Sequence, residues 1–157
     1  MSATVQDVGQ FVREHRFFAG LSETFTKEIA GCASTAHFKA GAYLFHEADE
    51  ATQFYLIREG RVALEIKPPG LKPLILQTVR AGEIVGVSWL TPPYRWAFDA
   101  RALEPIEALA IDAACLRGKC ESDHALGYEI LRRFTPILLQ RLHAARMQIL
   151  DVYGQRF

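Results

Sequence analysis

Gln53-Phe54-Tyr55-Leu56-Ile57-Arg58-Glu59-Gly60-Arg61-Val62-Ala63-Leu64-Glu65-Ile66 contains two runs rich in aliphatic and aromatic residues, separated by a charged turn that ends in glycine. Alternation with a period of two marks a strand, and Gly60 supplies turn geometry, so the stretch predicts a hairpin. Pro68-Pro69-Gly70 predicts a second reversal before the strand Leu74-Ile75-Leu76-Gln77-Thr78-Val79. The same texture runs from Thr35 to Ile111, punctuated by Gly41, Gly60, Gly70, Gly82 and Gly86. Short strands spaced this way build a sandwich, a roll or a barrel.

On either side the period changes to that of helices. Residues 5 to 15 and 22 to 33 read as two short helices, the second capped by Ser22 and placing Phe25, Ile29 and Cys32 on one face. After Ala113 the helical period returns, and Asp123 is the expected N-cap of a long terminal helix. Pro136 is expected to kink or break that helix near Phe134. Leu138, Leu142, Ala145, Ile149 and Val152 recur at steps of four and three, the spacing of a two-helix seam. That stripe either joins a second copy or packs on the chain's own sheets. The chain is thus read as one domain: helices over 1–33, a strand region over 34–112 and helices over 113–157.

Half of the residues are apolar, enough for one sizeable core, and 18 basic residues balance 18 acidic ones. No global field draws the chain to nucleic acid or an anionic membrane. The polar stretch from Met1 to Glu14 does not resemble a signal peptide, and no apolar run is long enough to span a bilayer, so a cytoplasmic protein is expected. Cys32, Cys115 and Cys120 are odd in number and read as reduced thiols. Cys115 and Cys120 flank Leu116-Arg117-Gly118-Lys119, whose basic charge can lower a thiol pKa, against the plainer reading of buried small hydrophobes.

From Phe18 to Tyr153 the chain resembles the cyclic-nucleotide-binding domain of the catabolite-activator family and of cyclic-AMP-dependent kinase regulatory subunits. The resemblance is carried by Lys39-Ala40-Gly41 before Leu44-Phe45, by Asp49, by Phe54-Tyr55-Leu56-Ile57 leading to Glu59-Gly60-Arg61-Val62, and by Gly82-Glu83-Ile84-Val85-Gly86. It implies a mainly β fold with flanking helices: a jelly-roll-like β-roll, or double-stranded β-helix, with N-terminal helices and a long C-terminal one. The family's phosphate cassette falls on Gly86-Val87-Ser88-Trp89-Leu90 and the loop to Arg95, with Trp96 and Ala97 beside it. Backbone N–H groups at 86–88 and the Arg95 guanidinium would hold a phosphate. Arg146, on the terminal helix, would stack on a base or reach a second phosphate. The alternative for either arginine is a solvated side chain.

Two departures stand against this match. Val87 occupies the position where the family carries a ribose-binding glutamate, and an unpaired buried hydroxyl costs about 1–3 kcal/mol, or roughly ten- to hundredfold in affinity. Cyclic AMP and cyclic GMP are therefore expected to bind weakly. Ala102 lies seven residues after Arg95 where the family has six, so the loop is longer or Arg95 is out of register. Trp89, Tyr94, Trp96 and Phe98 crowd the same place and either stack on a ligand or fill the pocket.

His37 and His46 lack a third strand ligand, while His15, His124 and His143 read as surface or interhelical residues, so no metal is expected. No nucleophile-and-base pair or phosphate loop is present, and Asp99, Arg101, Glu104 and Glu107 read as a solvated face or local salt bridges. The expectation is a stand-alone regulatory or sensor domain and not an enzyme, which binds a small anionic ligand, with a cyclic nucleotide of weakened affinity as the candidate and no cofactor, and signals through its C-terminal helix. It would homodimerise through its terminal helix or dock an unknown protein partner. With the chain ending at Phe157 and no DNA-binding domain visible, no direct nucleic-acid or membrane binding is expected. The competing reading is a pseudo-sensor whose filled pocket leaves only dimerisation or docking.

Overall fold

The computed structural model describes residues 5–154. Helix α1 (Val5–Glu14) leads through a 3₁₀ turn at Arg16–Phe18 into α2 (Glu23–Ala30). Eight strands follow: β1 (Ala33–Phe38), β2 (Tyr43–Phe45), β3 (Gln53–Glu59), β4 (Val62–Ile66), β5 (Leu74–Val79), β6 (Ile84–Val85), β7 (Asp99–Ala102) and β8 (Ile106–Asp112). Helices α3 (Ala113–Ser122) and α4 (His124–Gly154) close the described chain. The strands form two four-stranded antiparallel sheets, ordered β1-β8-β3-β6 and β2-β7-β4-β5, which is the expected β-roll.

The expected hairpin over 53–66 does not form. β3 pairs with β8 and β6, whereas β4 pairs with β7 and β5, so Gly60 carries the chain from one sheet to the other. Burial shows why: Phe54 to Ile57 and Val62 to Glu65 are buried without interruption, as strands covered on both faces must be. Gly60 sits at φ 99°, and a Cβ there would meet the Pro105 carbonyl at 2.5 Å. The reversal at 68–70 does form a hairpin, with Val62 opposite Val79 and Ile66 opposite Leu74.

Local capping follows the side-chain chemistry. Ser22 Oγ accepts from the Phe25 amide at 3.2 Å, and Asp123 Oδ1 accepts from the Ala125 and Leu126 amides at 3.1 and 3.3 Å. Pro136 does not break α4, which runs 31 residues. The loss of one backbone hydrogen bond there is outweighed by the anchoring of the preceding turns, where Leu126, Ile130 and Phe134 are buried against the roll.

The readings of the cysteines are corrected. Cys32 and Cys115 are joined in a disulfide with Cα atoms 5.7 Å apart, leaving Cys120 as the free thiol. β1–β8 pairing brings residues 83 apart in sequence together, since Ala33 faces Ile111 and the Asp112 amide donates to the Cys32 carbonyl. Burial, then the charges of Asp123 and Glu121, push the Cys120 thiol up and not down. Arg101 takes the salt-bridge reading: its guanidinium grips the buried Glu65 carboxylate at 2.8 and 3.1 Å, across a diagonal of the β4–β7 register.

His15 is buried rather than on the surface. Its Nδ1 accepts from the Phe17 amide and its Nε2 lies 3.2 Å from the Ile57 carbonyl, an arrangement that suits the neutral Nε2–H tautomer. Burial holds its pKa below the ordinary 6.5, against the raising effect of the Ile57 carbonyl and with a smaller lowering by Arg16. The unfolded chain therefore binds a proton that the folded one resists, and stability falls as pH drops from about 6.5 toward the folded value. Denaturant midpoints followed downward from that pH should decline less in His15→Gln than in the wild type. Equal slopes would assign the acid sensitivity to another group.

Candidate functional site

The cassette begins where β6 ends. Gly86 takes φ 107°, which an L side chain rarely adopts, and a Cβ built there would lie 2.5 and 2.7 Å from two ring carbons of Trp96. Val87 precedes a 3₁₀ turn at Ser88–Leu90, closed by the Leu90 amide on the Val87 carbonyl at 3.1 Å. Val87 and Ser88 are half-buried. The short turn is the expected one, and the ring of Trp96 packs against the glycine that precedes it.

Trp96 is 3% exposed and stacks on Phe45 of β2 with centroids 3.7 Å apart and planes at 8°. Its backbone is clamped, the amide donating to Asp49 and the carbonyl accepting from Ala48. Trp89 is equally buried; it stacks on Phe54 at 4.4 Å and meets Phe134 of α4 edge-on at 5.4 Å. Its indole Nε1 is buried without a hydrogen-bond partner. Phe17 extends the cluster onto Phe134, with centroids 5.0 Å apart. These rings pack into the core: Phe17, Trp89 and Phe134 meet in the edge-to-face geometry that aromatic quadrupoles prefer, whereas Trp96 lies almost face to face on Phe45.

Arg95 does not share this position. It is exposed, pairs with Glu50 through an isolated antiparallel backbone bridge and donates from Nη1 to the Ala48 carbonyl at 3.3 Å. Ala97 is exposed, as is Arg146 on α4. The extra residue noted between Arg95 and Ala102 therefore has a structural counterpart: Trp96, not Arg95, stands against Gly86. The loop is held instead by α3, since Arg117 donates to the Trp89 carbonyl at 2.7 Å and lies 4.0 Å over the Tyr94 ring.

The terminal helix divides along its length. Leu126, Ile130 and Phe134 pack on the roll, whereas Leu138, Leu142, Ile149 and Val152 are 44 to 57% exposed and Ala145 is exposed with them. The predicted seam is thus a free face of this chain and does not pack on its own sheets. Two side chains still moor this half, Arg141 on the Ile84 carbonyl at 2.7 Å and Gln148 on the Leu76 carbonyl at 3.0 Å.

Open space lies elsewhere. An open cleft of about 770 Å³ lies between the 16–25 segment, the β5–β6 edge and α4. Arg16, Arg132, Arg133 and Arg141 line it together with Glu83 and Glu129. The sequence reading missed these residues. Glu129, Arg132, Arg133, Pro136, Ile137, Gln140 and Arg141 recur at helical steps of three and four, and that polar stripe was the available signal. Among the described residues no helix is long and apolar enough to cross a membrane.

Comparison with known proteins agrees with this geometry. The model of the cyclic nucleotide-binding domain matches residues 35–123. A protein from Geobacter metallireducens GS-15 described as a cyclic nucleotide-binding protein is 32% identical, with a TM-score of 0.76 over 86% of this chain and 98% of that one. The N-terminal domain of a transcriptional regulator from Streptomyces coelicolor A3(2) is 25% identical, with a TM-score of 0.67 over 85% and 94% of the two chains. The sensor domain of the transcriptional regulator DNR from Pseudomonas aeruginosa shares the fold, with a TM-score of 0.69 at 18% identity over 88% and 93% of the two chains. No curated protein matches. The family model covers the β-roll that the strands build, and the chain belongs to the cyclic nucleotide-binding domain family.

Proposed function

We propose that this chain is a regulatory domain whose phosphate cassette is closed by its own side chain, and that it works as a homodimer through α4 and not as an enzyme. The observation that carries the reading is Trp96 packed against Gly86, where backbone N–H groups of an open cassette would face a phosphate. Val87 adds a second obstacle, because it offers a ribose hydroxyl no acceptor. The apolar residues at 138, 142, 149 and 152 supply the dimer surface. A face of this kind is self-complementary about a two-fold axis, so a second copy of the helix is its simplest partner.

Titration calorimetry with cyclic AMP, cyclic GMP and cyclic di-GMP is expected to give flat traces. Sedimentation of the same sample is expected to show a dimer that Leu142→Glu converts to a monomer. Heats of binding that vanish in Arg95→Ala would restore the open cassette, and a monomeric wild type would remove the dimer.

A further inference from the structure

Arg141 is a buried charge with unfilled hydrogen-bonding capacity. Its Nη2 donates to the Ile84 carbonyl, yet its Nε and Nη1 are buried and have no partner among the described residues. Such donors are rare in folded proteins, and a guanidinium stays protonated even where burial disfavours its charge, as it does here despite the opposing effect of Glu83. An unsatisfied cation lining a cleft is a position that an anion would complete.

The other walls define that anion. Arg133 is committed to Glu129 and to the Ala19 carbonyl, and Arg16 is tied through Nε to the Gly82 carbonyl at 2.7 Å. Arg132 lies 3.7 Å from Glu129 and is 67% exposed at the rim. Glu83 is turned to the Arg80 amide at 3.1 Å. Four arginines therefore face two glutamates, a surplus that matches a dianion, while Leu21, Phe25 and Ile137 offer apolar wall. A volume of about 770 Å³ is that of a small-molecule site.

We infer that this cleft binds a small organic phosphate, with its oxyanion on Arg141 and Arg16 and its apolar part against the α2 side. The inference goes beyond the closed cassette and does not depend on it, because the two sites share no residue. A ligand here touches the N-terminal turn, β6 and α4 at once, so its binding favours one placement of the helix that carries the dimer face.

Phenyl phosphate is the probe, with inorganic phosphate and benzoate as separate arms, followed by calorimetry and by ¹H–¹⁵N chemical-shift mapping. Wild type is expected to bind phenyl phosphate more tightly than either fragment, with shifts centred on residues 16–22, 82–84 and 132–141. Arg141→Gln should weaken binding by about ten- to hundredfold, the worth of hydrogen bonds to a charged group. Arg132→Gln, at the exposed rim, should weaken it severalfold without affecting folding, and Arg95→Ala should leave it unchanged. Absence of millimolar binding, benzoate binding as tightly as phenyl phosphate, or full affinity in both cleft variants would each overturn the inference. Binding lost in Arg95→Ala with shifts at 86–90 would overturn it and the closed-cassette reading together.

Discussion

Trp96→Ala is expected to lower the free energy of unfolding by about 3–5 kcal/mol, the range for truncating a buried aromatic residue. The indole is 3% exposed, stacked on Phe45 and in contact with Gly86, so its removal takes away transfer free energy and leaves a cavity that the clamped 48–49 and 96 backbone cannot collapse. An apolar hole of this size binds apolar guests, and free indole should therefore raise the Tm of the variant while leaving the wild type unaffected. Cyclic AMP should still give a flat trace with the variant, because Val87 and the exposed Arg95 are unchanged. A loss below about 1 kcal/mol would mean that the ring is not a packed core residue, and the closed cassette would fall with it.

Cys32→Ala should destabilise the protein by about 2–5 kcal/mol, because the bridge closes a long loop and limits the freedom of the unfolded chain. The loop joins residues 83 apart and ties the start of β1 to α3, on the helix that also holds the Trp89 carbonyl through Arg117. Denaturation with and without reductant distinguishes this from a packing effect. Wild type should lose stability when reduced, Cys32→Ala should not respond, and Cys120→Ser should behave as wild type. Equal midpoints for oxidised and reduced wild type would show that the bridge contributes nothing.

These outcomes locate what could be read from residues alone. The change from period two to the helical period marked the strand region and its flanking helices within a few residues, because that period depends only on which side chains must leave water. Ser22 and Asp123 announced helix starts because a cap bonds to amides two or three residues away. Gly60 and Gly86 announced backbone turns, since their positive φ is a local property of the chain.

The composition and local pattern of the sequence thus determined a strand-rich region with flanking helices and its caps, and the resemblance to a known family narrowed that region to a β-roll and placed the cassette. Tertiary structure alone decided that β3 and β4 lie in different sheets, that Cys32 meets Cys115, that His15 is buried and that four arginines converge beneath α4. It also decided that Trp96 packs against Gly86 while Arg95 is exposed. Neighbouring residues on an extended chain face opposite ways, so a slip of one residue exchanges a buried aromatic ring for an exposed arginine, and register is set by pairing with distant segments.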